Sequence, residues 1–164
     1  MKRLRSLFDP EIHVPLLVML PGASHAGTSV AVQVSLRDVA ATVAEVTGLG
    51  PREFPGRSLS RHWLAPGMPD PTPSLSEVEA PVKTAPNQGR SPVFRGPMQA
   101  IAFGDYVYIH NGDQVEELFN VRSDPGQLHN LVANPDARSS LNELRAAFLQ
   151  LRPDLETPRI AGRR

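Results

Sequence analysis

The residue types able to do chemistry crowd into one stretch, Glu117 to Leu131, which reads ELFNVRSDPGQLHNL. Glu117, Asp124, Arg122, His129 and two asparagines stand there among large apolar residues. Carboxylates with an imidazole are the raw material of general acid–base or metal chemistry. The spacing speaks for a strand running into a turn instead. By alternation Leu118 and Asn120 share one face, and Phe119 and Val121 the other. Asp124-Pro125-Gly126 is turn chemistry, with Pro presetting φ and Gly suited to the left-handed position.

Elsewhere the chemical signals are sparse. The five histidines (His13, His25, His62, His110, His129) contain neither H-x-H nor H-x-x-x-H, so none is spaced as a metal pair. A Ser-His-Asp set is assembled in space and not in sequence, but no G-x-S-x-G elbow is present. Gly48 and Gly50 do not begin a G-x-G-x-x-G loop, because position 53 is Glu. Glu77 and Glu79 share a face if extended, in what reads as a solvated loop. Glu116 and Glu117 straddle one strand, so only one can face inward. The absence of cysteine excludes disulfides, zinc–thiolate sites and a Cys nucleophile.

The elements that position these residues follow from punctuation and periodicity. Val14–Leu20, VPLLVML, reads as a buried strand ending at the Pro21-Gly22 turn. The basic cluster Lys2, Arg3, Arg5 ahead of it is loosely like a signal peptide. Asp9, Glu11 and His13 interrupt that pattern, and Pro15 and Pro21 bracket a short run. Residues 28–34 form a possible second strand. In SLRDVAATVAEVTG, Leu36, Val39, Ala40, Val43 and Thr47 fall on one helical face and are expected in the core. Ser35 and Asp38 make a capping box, and Gly48 suits the left-handed stop.

Between Pro51 and Pro97 lie ten of the seventeen prolines and Trp63, the single tryptophan. Regular structure is not expected there, because Pro cannot donate to a ladder. After Pro97 the pattern becomes β, with antiparallel strands near 98–103, 106–110 and 115–121. Asn111-Gly112 marks a hairpin in which both turn residues take positive φ. Asn134 caps a last helix with Pro135 at its first position. Its buried face is Leu141, Leu144, Phe148 and Leu151, and Pro153 ends it.

The 164 residues suit one domain, or a domain and a piece of another. Seventeen basic and seventeen acidic residues cancel, which leaves no electrostatic footprint for nucleic acid. No apolar run reaches the roughly 20 residues of a membrane-spanning helix. At 5% aromatic, the core must rest on Leu, Val and Ala.

Four segments, in order, carry a resemblance. HVPLLVMLPG (His13–Gly22), VSLRDVAATVAEVTGL (Val34–Leu49), FPGRSL (Phe54–Leu59) and EELFNVRSDPGQLHNL (Glu116–Leu131) are similar to the C-terminal part of a sulfatase, in the alkaline-phosphatase-like superfamily. Phe119-Asn120 stands where that family commonly has Tyr-Asp, and Gln127 where it has Glu. The resemblance implies an α/β fragment, the end of a mixed or parallel sheet with a helix. A small α+β subdomain of antiparallel strands and a C-terminal helix would follow. It divides the chain into 1–50 at the edge of the catalytic domain, a 51–97 loop, a 98–153 subdomain and a 154–164 tail. It also implies that the opening stretch is scaffold, with Asn130 tying down backbone near the turn and Leu131 under the last helix.

The family's chemistry uses a formylglycine made from a C/S-x-P/A-x-R motif and a divalent metal, usually calcium. Neither is expected on this chain, and no residue is assigned as catalytic or metal-binding. The nearest motif, SPVFR (Ser91–Arg95), has Val93 where Pro or Ala is required. Lys83, Asn87 and Arg90 are the candidates for the border of a substrate pocket, by position alone. The expected partners are the catalytic half that this chain lacks, or a second copy. Two other readings stay open: a split sulfatase of two chains, and a binding module that uses the 51–97 surface with Trp63.

Overall fold

The computed structural model describes residues 6–23, 26–49, 54–65, 67, 72–80 and 91–152. They fall into two units, one of Met1–His13 with Leu75–Arg164 and the other of Val14–Ser74.

The first unit is built on a four-stranded sheet in the order β1 (Ser74–Val78), β2 (Met98–Phe103), β3 (Tyr106–His110), β4 (Glu116–Asn120). β2, β3 and β4 form the expected antiparallel meander, with Ile101 opposite Tyr108 and Tyr108 opposite Leu118. Gly104, at φ 57°, turns the first hairpin. The second hairpin differs from expectation. The positive φ falls on Gln114 (67°) and not on Asn111 or Gly112. The loop is longer than two residues: the Asn111 amide donates to the Val115 carbonyl at 3.0 Å. A longer hairpin loop takes its left-handed residue at the end, not at the centre.

Alternation splits the strand side chains between two cores. Met98, Ala100, Val107, Ile109 and Phe119 pack with Leu7 and Val93 on one face. Ile101, Tyr108 and Leu118 pack on the other against α4 (Arg138–Leu151) through Leu141, Leu144 and Phe148. The first face is closed by the segment that includes the short helix α1 (Asp9–Ile12), where Phe8 meets Phe119 edge-on at 5.9 Å. Asn134 accepts the Asp136 amide at 3.0 Å and caps the 3-10 turn that leads into α4, as read from the sequence. Leu151 is a correction to the expected face: it lies past the contact of Phe148 with the end of β3 and is exposed.

In the Val14–Ser74 unit, α2 (Leu36–Val46) has the expected capping box, and Gly48 follows at φ 78°. Its buried face is not the expected one. Asp38, Ala41, Thr42 and Ala44 are buried, whereas Leu36, Ala40, Val43, Val46 and Thr47 are exposed. Val14–Leu20 and 28–34 are not strands, and Val14–Met19 is exposed. A strand exists only with a neighbour that takes its amides and carbonyls, and among the described residues no segment does so for Val14–Met19. The Pro-rich stretch holds more regular structure than expected. Both α3 (Ser60–Leu64) and β1 form there, in the windows free of proline between Pro55 and Pro66 and between Pro73 and Pro81.

Candidate functional site

The opening stretch spends its polar groups on backbone. Asn130 Oδ1 accepts the amides of Leu118 and Val132, each at 3.0 Å, and its Nδ2 donates to the Glu116 carbonyl at 3.3 Å. Asn120 Oδ1 takes the amides of Arg122 and Ser123. Asp124 accepts the His129 amide at 2.8 Å, the first cause holding its carboxyl below the usual range. The left-handed position of the turn belongs to Gln127 (φ 52°), not to Gly126. Gln127 is buried and its Oε1 accepts the Asp9 amide at 2.6 Å, which offsets the backbone strain of a non-glycine residue there. Asn130 and the partly buried Leu131 hold the places expected of them.

The two adjacent glutamates lie on opposite faces. Glu117 accepts from Asn111 Nδ2 at 2.9 Å. Glu116 accepts from Tyr108 Oη at 2.5 Å and from Arg145 of α4 in a two-point contact, one arm at 2.8 Å. The Arg145 bond lowers the Glu116 carboxyl below its ordinary value of 4.5, and burial foremost raises the Tyr108 hydroxyl. A depressed carboxyl contributes stability that is full above its unfolded value and lost as pH falls through the folded one. Wild type should therefore exceed Glu116→Gln in urea stability near neutrality. The gap should narrow as pH drops from about 6 to about 3. A gap that holds constant across that range would show that Glu116 is not ionised in the pair. This cluster pins α4 to the sheet. Beside it lies a shallow groove of about 270 Å³ that includes Arg138, Leu141 and Arg145.

In the Val14–Ser74 unit the buried Asp38 does more than cap. Its carboxylate accepts the Ser35 amide (3.3 Å), the Arg57 amide (2.8 Å) and an Arg61 guanidinium hydrogen (3.4 Å). Thr42 Oγ1 donates to the Asp38 carbonyl at 2.6 Å and accepts the Leu59 amide at 2.8 Å. Ser60 Oγ donates to Glu45 at 2.7 Å. These bonds lock the FPGRSL segment and α3 onto the buried side of α2. Sequence reasoning found the cap and missed this second role, because Arg57 and Arg61 are distant in the chain. Asp38→Ala should cost about 1–3 kcal/mol, since it removes the acceptor of the Ser35 and Arg57 amides. Chemical denaturation followed by Trp63 fluorescence measures it, and a cost under about 0.5 kcal/mol would contradict the network.

The far side of α2 is bare. Leu36 is 73% exposed, and Val43 and Val46 are also open. In the same unit Leu17 and Met19 are each 86% exposed. These are large apolar side chains left open to solvent among the described residues.

Among the described residues no group of three or more His, Asp or Glu side chains is placed to hold a metal. Ser91 is buried ahead of a 3-10 turn, and Val93 is wholly inside the core, so SPVFR is packing. Lys83, Asn87, Arg90 and His25 lie outside the described residues. No helix among the described residues is long and apolar enough to cross a membrane.

No family model matches the chain. It is 30% identical to arylsulfatase K of Danio rerio over 141 residues, 85% of this chain and 26% of that protein. The fold matches a 2-O GAG sulfatase with TM-score 0.56 and 23% identity, over 71% of this chain and 24% of the other. It matches a phosphonate monoester hydrolase of Agrobacterium radiobacter with TM-score 0.58 and 18% identity, over 80% of this chain and 27% of the other. The chain spans about a quarter of the length of the proteins it matches.

Proposed function

This chain is sulfatase-like over most of its length, and from that premise we propose that it is the supporting part of a sulfuric-ester hydrolase whose nucleophile and metal ligands lie on other residues than these. The observation that carries the reading is the bare apolar face of the Val14–Ser74 unit. The sheet unit, in turn, spends its polar groups on its own backbone and on pinning α4. Such a face is a cost in water unless another surface covers it. In the parent reaction a formylglycine and calcium would supply the nucleophile and the charge neutralisation. This chain's residues supply neither. They hold a turn, a helix and a sheet in place.

The full chain alone should hydrolyse an aryl sulfate such as p-nitrophenyl sulfate no faster than buffer does. Positioning and electrostatic stabilisation provide most of an enzyme's acceleration, and both need the absent groups. Turnover that scales with purified chain and disappears with EDTA would refute the reading.

A further inference from the structure

Asn111-Gly112 is the chain's single Asn-Gly pair. Such a pair carries its own reaction, because glycine has no side chain to shield its amide nitrogen from the carboxamide before it. The fold holds this pair so that the reaction is blocked. Asn111 is wholly buried, and its Nδ2 donates to the Val115 carbonyl at 3.1 Å and to Glu117 Oε2 at 2.9 Å. Its Oδ1 is buried with no hydrogen-bond partner among the described residues. Attack on the carboxamide turns Oδ1 into an oxyanion, and a buried oxyanion without donors is strongly disfavoured. The nucleophile is held as well. Gly112 lies so close to the Gly96 backbone that an added Cβ would stand 2.5 Å from Gly96 Cα. Around both residues the loop is fixed by the Gln114 amide on the Asn111 carbonyl (2.9 Å) and the Asn111 amide on the Val115 carbonyl (3.0 Å).

We propose that Asn111 is a self-modification site, kept silent by the closed β3–β4 loop and released when that loop opens. In the open loop the Gly112 nitrogen gives up its proton and bonds to Asn111 Cγ. The Cγ–Nδ2 bond breaks, Nδ2 leaves as ammonia with that proton, and a five-membered succinimide remains. Water then adds to one of the two imide carbonyls. The product is an aspartate at this position or an isoaspartyl linkage, in which the main chain is longer by one carbon. Solvent water is the only co-reactant, and nothing is oxidised or reduced. Either product carries a carboxylate where the carboxamide was a donor. That carboxylate would meet the Val115 carbonyl and the Glu117 carboxylate, acceptors only. Like charges at a buried site repel. The isoaspartyl form must also seat a longer chain against the Gly96 backbone. The modified loop therefore does not close as before, and the change runs one way.

The test incubates the full chain at mildly alkaline pH, folded in buffer and unfolded in urea, and follows Asn111 by peptide mapping in a mass spectrometer. The folded chain should convert Asn111 at least about a hundredfold more slowly, because only its opened fraction reacts. Gly96→Ala presses on the loop without altering the Asn-Gly pair, and should speed conversion in buffer at least about tenfold. If Gly96→Ala does not fold, wild type in urea below its unfolding midpoint takes its place. Conversion should then rise with urea before the sheet is lost, as local opening requires. Asn111→Asp should melt below wild type. Adding Glu117→Gln, which sets a donor opposite the new carboxylate, should recover part of that loss. Equal rates folded and unfolded, or an Asn111→Asp chain that melts like wild type, would overturn the proposal. So would a double variant no more stable than Asn111→Asp alone. Conversion that follows only the loss of the whole sheet would assign the protection to global folding, and overturns the loop as the gate.

Discussion

Phe148→Ala is expected to destabilise the sheet unit by about 3–5 kcal/mol. Phe148 is buried on the inner face of α4, edge-on to Tyr108 at 5.6 Å and stacked on His110 at 5.5 Å. Its ring therefore joins the helix to β3 from two directions. Truncation removes that apolar area from the core and leaves a cavity among Leu144, Tyr108 and Ile101, part of the same cluster. A domain has about 5–15 kcal/mol in total, so the variant should be largely unfolded well below the wild-type melting temperature. Urea denaturation followed by near-ultraviolet tyrosine dichroism gives the number. A loss under about 1 kcal/mol would mean that α4 is not held on the sheet by this ring. Leu151→Ala, one turn further along and exposed, is the contrast and should be nearly silent.

Gly112→Ala should have an effect of similar scale for a different reason. A Cβ at Gly112 would stand 2.5 Å from Gly96 Cα and 2.7 Å from the Gly96 carbonyl carbon. The obstacle is backbone, so no rotamer change relieves it. Either the β3–β4 loop or the turn before β2 must move. The expected cost is about 2–3 kcal/mol. Gly96→Ala meets the same contact from the other side and adds strain at φ 132°. Gly126→Ala is the control: its nearest neighbour is a flexible Leu128 side-chain atom at 3.4 Å, so stability should hardly change. Equal melting temperatures for Gly112→Ala and Gly126→Ala would contradict the close approach.

Much of the sheet unit was legible in the residues. Strand periodicity over 98–121 and the caps at Ser35 and Asn134 are local signals, decided by neighbours within a few positions. The resemblance, carried by four weak segments in order, agreed with relatives matched over most of the chain. The turn glycines were located but partly misassigned. The sequence marks where the chain reverses, but which residue takes positive φ depends on loop length and on a distant bond such as Gln127 to Asp9. The apolar stripe of α2 was read correctly as a stripe and wrongly as buried. Periodicity reports which face wants cover, not whether cover is present. The pocket-border residues Lys83, Asn87 and Arg90 had no local signal to support them beyond position.

By itself, then, the sequence determined the local grammar: antiparallel strands after Pro97, two capped helices, and the lack of a cysteine or intact formylglycine motif. Those properties depend on residue type and short spacing alone. Tertiary structure decided that Asp38 anchors Arg57 and Arg61, that Glu116 holds Arg145, and that Val14–Met19 and the stripe of α2 are left bare. Each of these is a matter of which distant groups meet, and burial is a property of the partner as much as of the residue.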